Sequence, residues 1–401
     1  MRNDVKKIAY LTVTTLLLLI SQWITAQQTD SSRIVTSNEN PYRTALPQKT
    51  GKHFYDILMP GRKGLQPLVL YQEDDRFFVG LSYTDFSRNW RPDTTGRWHN
   101  LYLNYSLSQG AFSLGYKGVI RYFAGGWNLL ADAAYDWTKW TNFYGLGNET
   151  VQVTNDAAYY RIRSRDAYIG LGLQHRVGRQ GSFIATPFYQ RVQLLRNEGR
   201  YLGAAYAEGK TTRTYDAKNF GGINAGLVLQ WLNDLLLPTR GIIFSANTVY
   251  AKNINEPRSF AVYDGNVKWY LPFFDRFVLV MENGAATVTG QPEFYQLISL
   301  GGSTLRGYRS DRFRGHTAFH NNNELQYLFN SPLKIFKGKM GLTAFADQGR
   351  VWLNGEQSNT WHRGYGGGVL LAWQNKLYAS AQIGISNERT GFNFSFRRSL
   401  Q

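Results

Sequence analysis

Apolar and polar side chains alternate residue by residue over long stretches of this chain, and a period of two is the signature of extended strands. Leu101, Leu103, Tyr105 and Leu107 alternate with Tyr102, Asn104, Ser106 and Ser108. Phe112, Leu114, Tyr116, Ile120 and Tyr122 share one parity, with Ser113, Lys117 and Arg121 between them. Ile223, Ala225, Leu227, Leu229 and Trp231 alternate with Asn224 and Gln230. Leu377, Ala379, Ala381, Ile383 and Ile385 alternate with Tyr378, Ser380 and Gln382. Each strand therefore has one greasy and one polar face.

Breakers such as Ser108-Gln109-Gly110, Ala124-Gly125-Gly126, Gly178-Arg179-Gln180-Gly181 and Pro272-Phe273-Phe274-Asp275 divide these runs. Division at such points predicts about sixteen strands, beginning near 66, 76, 97, 111, 126, 159, 181, 218, 241, 258, 275, 320, 338, 362, 376 and 390. Short connections alternate with long ones at about 141–158, 197–217, 290–319 and 353–361. That rhythm and the even count suit a membrane barrel with tight periplasmic turns and longer outer loops. Residues 27–64 carry Pro41, Pro47 and Pro60 with no periodicity and are expected to be an irregular periplasmic or plugging segment.

The N-terminus has the form of a signal peptide. Arg2, Lys6 and Lys7 precede an apolar run of about 13 residues, and Ile24-Thr25-Ala26 offers a cleavage site, so residues 1–26 are expected to be removed after export. No later stretch has the roughly 18 consecutive apolar residues of a membrane helix, and the mean hydropathy is −0.38. Yet 15% of residues are aromatic and 40 are glycine. Strands that alternate lipid-facing and lumen-facing residues produce this combination. A secreted sandwich or propeller would not need so many aromatics, and no repeat of 20–50 residues is present. With no cysteine, there is no lipid-attachment site and no thiolate metal site. The whole chain carries +17, of which the leader's three cations and Asp4 contribute +2, leaving about +15. For an exported chain this points to anionic lipid headgroups or a cationic lumen lining, not to nucleic acid.

The segment Leu300-Gly301-Gly302-Ser303-Thr304-Leu305-Arg306-Gly307-Tyr308-Arg309 is a glycine-rich arginine loop between two strands. By alternation on the next two strands, Leu325, Tyr327 and Phe329 face lipid, as do Leu342, Ala344 and Ala346. Glu324, Gln326, Thr343, Phe345 and Asp347 then face inward. Guanidinium binds carboxylate in a two-pronged geometry, so Arg306 is expected to reach back to Glu324 or Asp347. Gly301, Gly302 and Gly307 would let the backbone turn and approach closely.

The set resembles the BamA/TamA superfamily of outer-membrane barrels, whose sixth outer loop carries a Val/Ile/Leu-Arg-Gly-Phe/Tyr tetrad, here Leu305-Arg306-Gly307-Tyr308. Asn142-Phe143-Tyr144-Gly145-Leu146-Gly147-Asn148 and Leu237-Pro238-Thr239-Arg240-Gly241 look like further superfamily phrases. The resemblance covers about residues 65–401. It implies an all-β fold, a transmembrane antiparallel β-barrel of about 16 strands with loop six in its lumen, located in the outer membrane. It also implies assistance to the insertion or translocation of proteins or lipids. Two departures stand out. The stretch before the first strand is too short for a POTRA repeat, so a periplasmic or outer-membrane protein partner is expected to supply that role. The end, Phe396-Arg397-Arg398-Ser399-Leu400-Gln401, has no terminal aromatic.

Arg161, Arg163 and Arg165 share parity with Ile169, Leu171 and Leu173. They are candidate contacts for lipopolysaccharide phosphates, or else solvated loop arginines. His316 and His320 lie four apart without a carboxylate cluster, and no Ser or Asp nucleophile stands beside a positioned His. No enzyme, no metal site and no cofactor are expected. The rival readings are a passive anion-preferring pore and a structural subunit of an outer-membrane complex.

Overall fold

The computed structural model describes residues 64–72, 76–86, 96–107, 110–178, 180–206, 213–331, 338–373 and 377–398. The expected signal peptide and, Gly64 apart, the segment 27–64 lie outside them. Sixteen strands follow one another in the wall: β1 Gly64–Gln72, β2 Arg76–Phe86, β3 Gly96–Ser106, β4 Ala111–Ala124, β5 Trp127–Asn142, β6 Arg161–Val177, β7 Gly181–Leu195, β8 Lys218–Leu232, β9 Gly241–Asn253, β10 Ser259–Phe273, β11 Phe277–Gly290, β14 Thr317–Asn330, β15 Gly338–Trp352, β16 His362–Trp373, β17 Leu377–Ile385 and β18 Thr390–Arg398. Each described wall strand pairs antiparallel with the next in chain order, from β1 through to β18. The strand starts fall within three residues of those expected from the breakers. Two additional short strands, β12 Ile298–Leu300 and β13 Phe313–Gly315, form a hairpin within loop six that the alternation did not anticipate.

The connections after β5, β7, β11 and β15 all lie at one end of this antiparallel barrel, which is its outer end. Outward residues form an apolar band, as in Leu101, Leu103 and Tyr105 of β3, and Ile169, Leu171 and Leu173 of β6. Exposed aromatics edge the band: Tyr250, Tyr263 and Tyr365 at the outer end, Trp231, Phe273 and Phe274 at the periplasmic end. Amphipathic rings favour the headgroup level, so the two rows mark the membrane interfaces. One expected outward residue is displaced. A β-bulge shifts the register between Ile120 and Ala124, Tyr122 adopts a positive φ of 51°, and Phe123 takes the exposed position instead.

Inside, the barrel is layered. At the outer end, Leu297, Ile298, Leu300, Leu305, Tyr308 and Phe313 of loop six pack against inward residues such as Val249, Phe260, Val288 and Val351. Below lies a polar belt. Asn247 donates to Asp264 at 3.0 Å, and Asn266 and Lys268 donate to Glu282 at 2.9 and 2.7 Å. At the periplasmic end, Leu236 and Leu237 of the β8–β9 turn fold inward onto Val228, Ile243, Val280 and Leu370. That turn is held by Asn233, whose side-chain oxygen accepts from the backbone N–H groups of Thr239 and Arg240, both at 3.0 Å. Among the described residues, these layers are packed and bonded.

Leu171 stands mid-strand in the apolar band and is 58% exposed. Leu171→Arg should lower folding stability in lipid vesicles by about 2–4 kcal/mol, the midplane cost of an arginine. Val153→Arg, in the exposed β5–β6 loop, should stay within about 0.5 kcal/mol of wild type. Denaturant titration of refolding into vesicles checks both.

Candidate functional site: loop six against the inner wall

Loop six leaves β11 at Gly290, makes a single 3-10 turn at Phe294–Gln296, and enters the lumen through β12. Its tip folds on itself. Thr304 Oγ1 bonds both the N–H and the carbonyl of Gly301, at 3.1 and 3.0 Å. The tip presents Arg306 to the wall. Arg306 Nε donates to Asp347 Oδ2 and Nη2 to Asp347 Oδ1, both at 2.7 Å, a two-pronged pair. Nη1 donates to Glu324 Oε2 at 2.6 Å and to Gln382 Oε1 at 3.1 Å. The Arg306 backbone N–H adds a further bond to Asp347 at 3.1 Å. The guanidinium lies 3.6 Å from the ring centroid of Phe345, so its flat face is covered as well. Arg306 and Asp347 are both buried.

The carboxylates are themselves held. Gln326 donates to Glu324 at 2.8 Å, and Gln382 Nε2 donates to Glu324 at 2.8 Å and to Thr343 at 3.1 Å. Strand register explains the convergence. Asp347 of β15 pairs directly with Gly364 of β16, and Glu324 of β14 pairs with Phe345. At Gly364 the wall has no side chain, and a Cβ there would sit 1.8 Å from the Arg306 carbonyl oxygen. Gly307 has φ +96°, a left-handed conformation that favours glycine. Leu305 is fully buried, contributing on the order of 1.5–3 kcal/mol.

Loop six is also fastened to its neighbours. Tyr308 Oη donates to Asn387 at 2.6 Å, Ser386 Oγ donates to the Gly307 carbonyl at 2.9 Å, and Arg312 Nε donates to Glu388 at 2.7 Å. All three partners lie in the β17–β18 turn. Arg312 also donates to the Thr150 hydroxyl and carbonyl of the β5–β6 loop at 2.6 and 2.7 Å. In that loop Asn148 acts as a clip. Its N–H donates to both Glu356 oxygens at 2.8 Å, its amide donates to Ser358 and the Thr360 carbonyl, and its side-chain oxygen accepts from Val351 N–H. Thr360 Oγ1 donates to Glu149, and the hydroxyls of Ser358 and Thr360 hold that carboxyl below its usual range.

The structure therefore brings Gly301, Gly302, Leu305, Arg306, Gly307 and Tyr308 together with Glu324 and Asp347. Arg161, Arg163 and Arg165 lie apart, at the outer end of β6. His316 and His320 serve local packing: His316 Nδ1 accepts from Asn354 N–H at 3.3 Å, and the His320 ring lies against Gly284. Among the described residues, no three His, Asp or Glu side chains gather as a metal site. Sequence reasoning missed Gln382, Gly364, Arg312 and the clip role of Asn148. Gln382 was visible by parity on the polar face of its strand. The glycine run from 364 carries no site signal of its own, because its use depends on a loop arriving from elsewhere.

Removing Arg306 would leave two buried carboxylates uncompensated, a change that costs about 3–5 kcal/mol in buried pairs. Arg306→Ala should expose the chain between 300 and 316 to limited proteolysis and lower the temperature of unfolding in detergent. Arg306→Lys should recover only part of the loss, since an ammonium cannot make the two-pronged contact. Gly364→Val should free the same segment with every charge intact, and an unaffected digest would show that the loop does not need the bare wall.

The Omp85 superfamily domain matches residues 92–397, more than half of the chain. Comparison with curated proteins finds no matching sequence. The fold is similar to that of BamA from Haemophilus ducreyi lacking POTRA domains 1-3, with a TM-score of 0.59 and 15% identity, covering 82% of this chain and 68% of that one. It is also similar to CdiB from Acinetobacter baumannii, at TM-score 0.50 and 13% identity over 80% of this chain and 56% of that one. CdiB from Escherichia coli gives 0.50 and 15%, over 84% and 63%. The chain thus spans less than two thirds of either CdiB. The pinned tetrad, the sixteen-stranded wall and the matched domain coincide on one stretch of sequence: the chain belongs to the Omp85 superfamily and is an outer-membrane β-barrel.

Proposed function

We propose that this barrel assists the insertion or translocation of proteins or lipids at the outer membrane, together with a periplasmic or outer-membrane protein that delivers the client. On this reading the chain performs no covalent chemistry of its own. The observation that carries it is the fastening of loop six at two places at once: to the wall through Arg306, and to the β17–β18 turn through Tyr308, Ser386 and Arg312. The hairpin it grips ends in β18, the last strand of the sheet, and β1 is the first. Both, like β17, are nine residues long, against 11 to 17 for the other wall strands. Fewer ladder bonds make these end strands easier to part than the long ones, and a loop bonded to the β17–β18 turn couples the lumen plug to the seam. A passive anion-preferring pore needs an open bore; the packed outer layer and the inturned β8–β9 turn count against it.

The chain has no cysteine, so introduced pairs can be bridged without background. Ser303→Cys with Asn322→Cys places thiols where Asn322 now donates to the Ser303 carbonyl at 3.1 Å. In vesicles, the wild type with its co-purified partner should speed the folding of an unfolded barrel client, and a short thiol-bridging reagent on the pair should abolish the gain. Large steady conductance in planar bilayers, with no effect on clients, would overturn the proposal in favour of the pore. Mass spectrometry of the native complex identifies the partner.

A further inference from the structure

A second concentration of arginine occupies the outside of the wall. Arg161, Arg163 and Arg165 alternate along the outer end of β6, with the parity of exposed Ile169, Leu171 and Leu173. Arg200, from the β7–β8 loop, joins them. The guanidinium of Arg165 lies 4.3 Å from the ring centroid of Trp137, while Arg163 and Arg200 lie 5.6 and 5.0 Å from the ring of Trp140. Two cations thus share one indole. Arg163 is steered by Asn197, to which its Nη2 donates at 2.9 Å, and Arg200 by the Ala158 carbonyl.

Among the described residues, none of the four forms an ion pair with a carboxylate. The Nε atoms of Arg161, Arg163 and Arg165 are each buried without a hydrogen-bond acceptor. Burial, then the nearby charges of Arg163 and Arg161, push Arg200 below its usual range, and only the more weakly acting Asp156 opposes this. Holding like charges together is unfavourable unless an anion joins them.

Height along the wall indicates where that anion sits. Arg165 is four residues beyond Ile169, about 13 Å along the strand; Trp140 pairs with Arg163 and Trp137 follows Asp136, the partner of Asp166, so both indoles stand level with the arginines, where such rings suit the headgroup level. We propose that Arg163, Arg165 and Arg200, supported by Arg161 and backed by Trp137 and Trp140, bind the phosphate of an outer-leaflet glycolipid of the lipopolysaccharide class. Guanidinium suits the task because it meets phosphate oxygens in pairs. The site depends on the barrel's orientation in the membrane and not on what the barrel transports, so it stands or falls apart from the insertion reading.

Native mass spectrometry after detergent extraction tests it. Wild-type protein reconstituted with lipopolysaccharide in phosphatidylcholine should retain the glycolipid, while enzymatically dephosphorylated glycolipid should be lost. Changing Arg161, Arg163 and Arg165 together to Gln should cut retention by at least about tenfold, with heat-modifiable migration unchanged as the check on folding. Arg200→Gln alone should give a smaller loss. Equal retention of phosphorylated and dephosphorylated glycolipid by the wild type would overturn the proposal without relying on any variant. Displacement of the glycolipid by millimolar inorganic phosphate would overturn the lipid as occupant and leave a site for the free anion.

Discussion

One guanidinium bonded to two carboxylates on adjacent strands decides what the inside of this barrel is. A sixteen-stranded wall has room for a water-filled channel, and nothing in a closed antiparallel ladder obliges it to be filled. Arg306 fills it by giving a long outer connection an ionic anchor inside the wall. The apolar packing of Leu305, Tyr308 and Phe313 becomes available only once the loop is inside. Coulombic attraction supplies the address, and hydrophobic burial supplies much of the hold.

Much of this was legible before any coordinates. Alternation marked the strands because a two-faced wall must repeat every second residue, and parity alone put Glu324 and Asp347 on the inner face. Parity fails only where the ladder is irregular, as at the bulge that turns Tyr122 aside and puts Phe123 outward. What stayed hidden is what depends on two distant segments meeting. Asn148 closes a phrase that resembles the superfamily's, but its role shows only when the β15–β16 loop closes over it. Arg312 reads as one more cation until Thr150 and Glu388 arrive on either side. Local pattern reports the face a residue occupies; the partner on that face is set by tertiary closure.

The two arginine groups show how differently one side chain behaves on the two sides of a wall about one residue thick. Inside, Arg306 has a partner for nearly every donor and a ring beneath its plane. Outside, Arg163, Arg165 and Arg200 have the rings but, among the described residues, no carboxylate in an ion pair. Residue type and aromatic neighbour are the same, and the presence or absence of acids separates a structural anchor from a surface with unmet demand.

The glycines of β16 have a mechanical consequence. Gly364, Gly366 and Gly368 leave the inner face of this strand bare for five residues, and on the outer face Tyr365 is followed by Gly367, where its neighbours carry side chains that brace one strand against the next. The backbone of loop six and the ring of Phe345 lie where the inner side chains would have been. The stiffness of the wall in that sector is therefore borrowed from the loop. While the loop is seated, this sector is braced from within; when it withdraws, the wall has a soft panel two strands from its last edge.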